Sequence, residues 1–269
     1  MTPVELAWPQ TPASVLLWAE VTLVWVLANY GPVRDPVGRQ EVAALDGPGL
    51  RAWRKRVAAR SILGAGAVLF LVGPGFPAAL LSTAFLALAL LLPELRHQCI
   101  RRVREGRWWE LRAEYEIALN ALFLVLVAGV AGGRNLRPTL DPSALPGSAE
   151  VLTAGALGAA AVVFLVRGGT HVVRGILEKG DTFPAGTGSM ESTLRHGLTI
   201  GNLERFLVFV FVLLDSFAAV GFVLAAKGLV RAVDWEGRES VEYFLVGTFA
   251  SVTLALAVGL LVRAALPGF

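Results

Sequence analysis

Three polar side chains stand inside long apolar runs of the sequence, where they could carry chemistry. Glu20 lies in the middle of the first run, Asn120 lies early in a later run, and Asp215 lies midway along another. A charge in the hydrocarbon of a membrane costs at least about 2.5 kcal/mol, so such residues normally face other helices or water. A proton or cation path using Glu20 and Asp215 is one hypothesis. Hydrogen bonding between helices is the other, and we favour it because a transport path usually includes more polar residues.

Four charged residues near the C-terminus are placed so that they could form ion pairs. The apolar runs at about 200–230 and 241–265 predict two antiparallel helices joined by a short turn. Residues equally far from that turn then lie at equal depth. Since buried charges are normally paired, this geometry predicts two pairs with a structural role. The predicted pairs are Lys227 with Glu242 at the outer end and Glu204 with Arg263 at the inner end.

A third set of polar residues follows another apolar run. Arg167, His171 and Arg174 are spaced four and three residues apart, which places them on one face of an α-helix. One hypothesis is that this face contacts a lipid headgroup or a phosphate. The alternative, which we favour, is a helix end whose long side chains extend from the apolar layer into water.

The sequence lacks the motifs of common catalytic and metal sites. It contains no Walker-type phosphate loop, no His-Glu-x-x-His, no pair of closely spaced cysteines and no Gly-x-Ser-x-Gly. His97, His171 and His196 lie in separate segments, so a metal site would need three distant loops to converge. Cys99 is the single cysteine and excludes an internal disulfide. We therefore expect no metal and no cofactor, and the absence of these motifs favours a protein that is not an enzyme.

The composition indicates which elements position these residues. Apolar residues make up 55% of the chain and charged residues 17%, and the mean hydropathy is +0.63. An average soluble chain carries about 25% charged residues. The net charge is only +3, and the basic residues lie between the apolar runs, which excludes a nucleic-acid-binding module. The sequence predicts an all-α, polytopic transmembrane helical bundle whose main partner is the lipid bilayer.

The apolar runs divide the chain into about seven membrane segments. A helix needs about 20 mostly apolar residues to cross a hydrocarbon core of about 30 Å. Two prolines and two glycines at 73–77 cannot lie within one helix, so the second and third segments form a tight or re-entrant hairpin. We expect one integral membrane domain over 1–269, divisible into four segments within 1–131 and three within 149–269. The segments are about 13–30, 57–72, 78–92, 111–131, 151–166, 200–230 and 241–265.

The distribution of Lys and Arg predicts how the segments are oriented. Nineteen of the 24 basic residues fall on one side of the predicted segments and five on the other. Cytoplasmic loops carry the excess of Lys and Arg, so we expect the N-terminus outside and the C-terminus inside. The stretch 96–115, with Trp108 and Trp109, is interpreted as an amphipathic helix along the inner membrane surface.

The C-terminal quarter of the chain resembles an uncharacterised family of bacterial polytopic inner-membrane proteins. The resemblance extends over about 200–261 and rests on three motifs, which are Ile200–Arg205, Gly221–Lys227 and Glu242–Thr248. It implies a bacterial inner-membrane location. Since the family has no known activity, the resemblance implies no catalytic residue.

The sequence as a whole favours a non-enzymatic subunit or scaffold of a membrane complex. Small residues at 64–66, 129–133 and 155–159 support close helix packing, which packing inside a single bundle explains equally well. The expected protein partners are other membrane proteins or further copies of the chain. A small transporter or channel using Glu20 and Asp215 is the alternative. A membrane enzyme acting on lipid headgroups is the third hypothesis.

Overall fold

The computed structural model of the protein is all-α, as the sequence predicts. It describes residues 12–31, 47–102, 112–131, 149–179, 190–232 and 238–266. A π-helical turn at Phe164–Gly168 joins α5 to α6. The helices are α1 Pro12–Tyr30, α2 Gly47–Val72, α3 Phe76–Arg102, α4 Arg112–Ala131, α5 Ala149–Val163, α6 Gly169–Lys179, α7 Met190–Leu213, α8 Phe217–Ala232 and α9 Arg238–Ala265.

Five helical segments in the described part of the chain are long and apolar enough to cross a membrane. A shorter apolar helix covers Phe217–Leu229 in α8. The chain is therefore an integral, multi-pass membrane protein in contact with a lipid bilayer. The five segments are Ala13–Tyr30, Phe76–Cys99, Ala113–Val130, Ala149–Leu177 and Phe244–Ala265.

Helices α2 and α3 form a hairpin at the position where the sequence predicts a break. The turn contains Gly73 at φ 84° and Gly75 at φ 153°, a backbone region that favours glycine. The two helices pack closely, because a Cβ on Gly64 would lie 2.5 Å from the ring of Phe85. The Ser82 hydroxyl donates a 2.7 Å hydrogen bond to a backbone carbonyl of α2.

The single long helix predicted over 200–230 is wrong, because the structure divides it into α7 and α8. Asp215 lies between them at φ 57°, in the left-handed region. Its N–H donates to the Val212 carbonyl, and the Ser216 N–H donates to the Phe211 carbonyl at 2.8 Å. This is the hydrogen-bond pattern of a Schellman motif, which ends a helix and reverses the chain. Apolar residues continue on both sides of the turn, so hydropathy alone gave no sign of it.

The chain folds into two compact units, residues 1–106 with 115–160, and residues 107–114 with 161–269. The core of the first unit contains three fully buried aromatic rings. Trp25 stacks on Phe123 with ring centroids 4.1 Å apart, and Phe85 lies edge-on to both at 5.5 Å. Such aromatic packing fixes α1, α3 and α4 against one another.

In the second unit, α7 and α9 run in the same direction. Arg205 on α7 contacts Ser251 on α9, and further along both helices a Cβ on Gly259 would lie 2.8 Å from Val212. Helix α8 returns antiparallel to α7 and brings Lys227 beside Glu204. The sequence prediction that the last two membrane segments are antiparallel neighbours is therefore wrong for α7 and α9, because an additional reversal lies between them.

Candidate functional site

A network of buried polar side chains joins three helices of the first unit. We call Tyr30, Arg96, Glu116 and Asn120 the Arg96 cluster. Arg96 Nη2 donates to Glu116 Oε1 at 2.5 Å, and both side chains are 2% exposed. The Tyr30 hydroxyl donates to the same carboxylate oxygen at 2.7 Å. Asn120 Nδ2 donates to the Tyr30 hydroxyl at 2.7 Å, and Asn120 Oδ1 accepts from the Trp25 indole at 2.8 Å.

The helices place these side chains without special backbone geometry. Tyr30 is the last residue of α1, and Arg96 lies near the end of α3. Glu116 and Asn120 are four residues apart on α4, so they share one face of that helix. The positive charge of Arg96 and the negative charge of Glu116 cancel inside the cluster. Among the described residues, the Arg96 cluster is therefore electrically neutral.

The sequence identifies Asn120 in this cluster but misses Arg96 and Glu116. The predicted amphipathic surface helix over 96–115 is wrong at its start, because α3 continues through Arg96 and buries it. The sequence did contain a signal for Glu116: it lies one helical turn before Asn120 at the start of an apolar run, so the two polar residues share a helix face.

A second buried arginine lies in the other unit. We call Thr170, Asn202, Arg205 and Ser251 the Arg205 cluster. Arg205 is 4% exposed. Its Nη2 donates to Asn202 Oδ1 at 2.5 Å and to Thr170 Oγ1 at 3.1 Å, and its Nη1 donates to Ser251 Oγ at 3.3 Å. All three acceptors are neutral oxygens, and among the residues described here no carboxylate contacts the guanidinium.

The π-helical turn brings α6 against this guanidinium. The Gly169 N–H donates to the Phe164 carbonyl five residues earlier, which widens the helix by about one residue in that turn. The Thr170 hydroxyl then donates to the Val166 carbonyl at 3.1 Å and presents its oxygen to Arg205. A Cβ on Gly169 would lie 3.2 Å from both Arg205 Nε and Leu254 Cδ2, so glycine lets α6 pack closely against the guanidinium.

The same turn changes the placement of the predicted headgroup residues. Arg167 lies within the π-helical turn, whereas His171 and Arg174 follow it. His171 is buried at 4% exposure, while Arg167 and Arg174 are half-buried. The prediction of one shared face assumed a uniform α-helix, and a π-helical turn rotates the residues that follow it. These three side chains do not form one exposed surface.

The charged residues near the C-terminus pair differently from the sequence prediction. Glu204 pairs with Lys227, and Arg263 pairs with Asp215. The reason is the turn at Asp215, because Glu204 and Lys227 lie almost equally far before and after it and therefore meet at one depth. The predicted contact of Lys227 with Glu242 involves a side chain outside the described residues.

The two intramembrane carboxyls of the transport hypothesis occupy different surroundings. Glu20 is half-buried in the middle of α1. Asp215 was predicted midway along a span, but it lies in the turn after α7 with 61% of its side chain exposed. A hydrogen bond from the Arg263 guanidinium holds the pKa of the Asp215 carboxyl below its usual range.

The chemistry available in the Arg205 cluster is recognition of negative charge. Thr170 and Ser251 carry hydroxyls, but within the described ranges neither contacts a carboxylate or imidazole that could act as a general base. No group of three His, Cys, Asp or Glu residues in the same part of the chain could hold a metal ion. Comparisons with known proteins give no match to a family model, a curated protein or a solved structure.

Proposed function

We propose that the protein is a non-enzymatic subunit of a bacterial inner-membrane complex and that it binds its partner through α8. The observation that carries this proposal is the exposure of α8. Of residues 217–229 on this helix, Val220 alone is buried, at 5% exposure, and the others are exposed or half-buried. Much of the surface of α8 outside its contact with α7 is therefore available to lipid or to another protein.

The residues on this face favour a protein neighbour over lipid. We define the α8 face as Ala218, Gly221, Phe222, Ala225 and Leu229, which are exposed. A Cβ on Gly221 would meet no atom within 4 Å, so a second helix backbone could approach closely at this position. Helix interfaces in membranes are enriched in small residues for this reason, because packing rather than hydrophobicity drives association there.

An ion pair at the edge of the α8 face supports the same proposal. The side chains of Glu204 and Lys227 are 14% and 21% exposed, so they are only partly covered by the helices of their own unit. Gly201 and Gly228, one on each helix, have open Cβ positions as well. A partner helix lying against these glycines would cover the pair and remove it from lipid, where charged groups are costly.

The test is the native mass of the full-length protein, extracted from its own membrane in mild detergent, together with its co-purifying proteins. We expect a discrete complex. Gly221→Leu and Gly228→Leu should dissociate it, since each adds a bulky side chain to the proposed contact. Gly129→Leu is the matched control, because its Cβ position on α4 is also open and the same volume is added elsewhere. A monomeric wild-type protein, or equal dissociation by all three variants, would contradict the proposal.

A transporter or channel is the second candidate, and Glu20 is the residue that favours it. A half-buried carboxyl in the middle of a span is the kind of group that carries protons across membranes. Asp215 contributes less to this hypothesis, because it is bound to Arg263 in an exposed turn. Ion flux into reconstituted vesicles, measured for wild type, Glu20→Gln and Asp215→Asn, tests it. We expect a transporter to lose flux in Glu20→Gln and to keep it in Asp215→Asn.

We also propose eight membrane segments with both termini outside, in place of seven with the C-terminus inside. The α7–α8 reversal adds one crossing, which moves Lys227, Arg231 and Arg238 to the inner side and Arg263 to the outer side. This arrangement places 21 of the 24 basic residues inside, compared with 19 for the sequence prediction. The stronger asymmetry supports it, because Lys and Arg accumulate in cytoplasmic loops.

Cysteine labelling distinguishes the two topologies. In a Cys99→Ser background, Gly237→Cys and Gly268→Cys are labelled in intact cells with a maleimide that does not cross the membrane. The eight-segment topology predicts labelling at residue 268 in intact cells and at residue 237 only after the membrane is permeabilised. The seven-segment topology predicts the opposite result.

A further inference from the structure

We propose that the Arg205 cluster is a binding site for a small oxyanion, a phosphate or carboxylate group whose negative charge balances this buried guanidinium, which contacts no carboxylate among the described residues. The anion is either free in solution or part of a lipid headgroup, since both present the same oxygens. The inference is independent of the proposed function, because the site is built from α6, α7 and α9 and not from the α8 face.

Arg205 brings a positive charge into the second unit, and no described carboxylate contacts it. An arginine in a protein stays protonated, so Arg205 brings a full positive charge into a site with 4% exposure. The nearest charge of opposite sign along the chain is Glu204, whose carboxylate is bound to Lys227. Buried charges are normally paired, and neutral oxygens from side chains do not replace a counter-charge.

The guanidinium of Arg205 also has N–H donors that its three acceptors do not use. A guanidinium has five N–H donors, and Asn202, Thr170 and Ser251 accept three of them. Arg205 Nε has no hydrogen-bond partner within the described structure. A buried donor without an acceptor is costly, which points to an occupant with oxygen atoms. A water molecule would satisfy the N–H but would leave the charge uncompensated.

The surroundings of the guanidinium fit such an occupant. Gly169 lets α6 lie close to the Nε side, since a Cβ there would lie 3.2 Å from both Nε and Leu254 Cδ2. The hydroxyls of Thr170 and Ser251 lie beside the two Nη atoms, and the Ser251 hydroxyl can rotate to donate to an anion. Asn202 is the half-buried member of the cluster, whereas Thr170, Arg205 and Ser251 are buried.

The test uses the purified full-length protein and measures its unfolding temperature against anion concentration. Sodium phosphate and sodium acetate are the probes, with sodium chloride at equal ionic strength as the reference. A second measurement compares how much phosphatidylglycerol and phosphatidylcholine the protein retains in native mass spectrometry. We expect saturable stabilisation by phosphate or acetate if the anion is free. We expect selective retention of phosphatidylglycerol if the anion belongs to a lipid.

Variants assign the effect to this site. Arg205→Gln removes the charge, and Gly169→Ala keeps the charge but adds a methyl group 3.2 Å from Nε. Each should weaken binding about tenfold, the loss expected for one charge-assisted hydrogen bond. Arg54→Gln is the matched control, because it removes one arginine charge from an exposed pair in the first unit. Gly169→Ala keeps the test informative if Arg205→Gln does not fold.

Two results would overturn the proposal. One is a wild-type protein that shows neither saturable stabilisation nor selective lipid retention. The other is binding that survives both Arg205→Gln and Gly169→Ala at wild-type strength, since the anion would then lie elsewhere. A monomeric protein in the native-mass experiment would contradict the proposed function but not the anion site, because one copy of the chain contains every residue of the Arg205 cluster.

Discussion

Among the described residues, each unit of the protein buries one arginine, and the two arginines are compensated in different ways. Arg96 binds the Glu116 carboxylate at 2.5 Å, and both side chains are 2% exposed. Arg205 is almost as deeply buried, but its acceptors are a carboxamide and two hydroxyls. Within the described residues, the first arrangement has zero net charge, whereas the second retains a positive charge and an Nε–H without an acceptor. A neutral cluster of the first kind stabilises a fold, whereas a charged cluster of the second kind is suited to binding.

The largest expected effect is the loss of stability in Arg96→Met. Removal of Arg96 leaves the Glu116 carboxylate buried without its counter-charge, so the free energy of unfolding should fall by about 3–5 kcal/mol. Denaturant titration in detergent measures this change. The double variant Arg96→Met with Glu116→Leu should recover most of the loss, because no charge then remains buried. Equal instability of the single and double variants would contradict a paired role.

A smaller effect is expected for Arg205→Met in buffer without phosphate or acetate. This substitution leaves three neutral acceptors unpaired but removes an uncompensated charge, so the loss should not exceed about 2 kcal/mol. The same titration gives the value. A fall in the free energy of unfolding as large as that of Arg96→Met would contradict the conclusion that the two arginines are compensated differently.

The pairing of Lys227 with Glu204 is expected to show a coupling of about 1 kcal/mol in a double-mutant cycle, since the pair is only partly buried. Lys227→Met alone should destabilise the protein more than Lys227→Met with Glu204→Gln. Simple additivity of Lys227→Met and Glu204→Gln would contradict the pairing.

The smallest effect is the pH dependence of the Asp215–Arg263 pair. Because Arg263 lowers the pKa of Asp215 in the folded protein, the pair contributes its full stability above the usual aspartate pKa of 3.8. That contribution is lost as the pH falls through the lower pKa of the folded state. The unfolding temperatures of wild type and Asp215→Asn should therefore differ at neutral pH and converge only as the pH falls through that lowered pKa, below 3.8. A difference that persists in acid would show that Asp215 acts through the turn backbone.

The sequence predicts the membrane class and the α2–α3 hairpin because both depend on local composition. A run of apolar residues and a cluster of prolines and glycines have the same consequence in almost any tertiary context. The reversal at Asp215 is different, because an aspartate and a serine within an apolar run are equally compatible with a continuous helix. The ion pairs near the C-terminus depend on that reversal. Because the turn was not predicted, the partners of Lys227 and Arg263 were assigned incorrectly: Lys227 pairs with Glu204, and Arg263 pairs with Asp215.

The buried clusters were harder to predict because their members are distant in the sequence. Arg96 and Glu116 are ordinary charged residues near segment ends, and only tertiary packing shows that both are buried. Arg205 is recognisable as polar, but the absence of a carboxylate around it depends on three helices and a π-helical turn. Helical periodicity cannot anticipate that turn, which also moved His171 away from the face predicted for it.

The ion pair between Asp215 and Arg263 has a consequence for the order in which the chain assembles in the membrane. Ribosomes synthesise Asp215 well before Arg263, so the α7–α8 turn exists in the nascent chain while its cation is still unmade. The last helix supplies the pairing group only in its final turn. Chains that end before residue 263 would therefore contain the complete α7–α8 turn but lack the arginine that pairs with its aspartate.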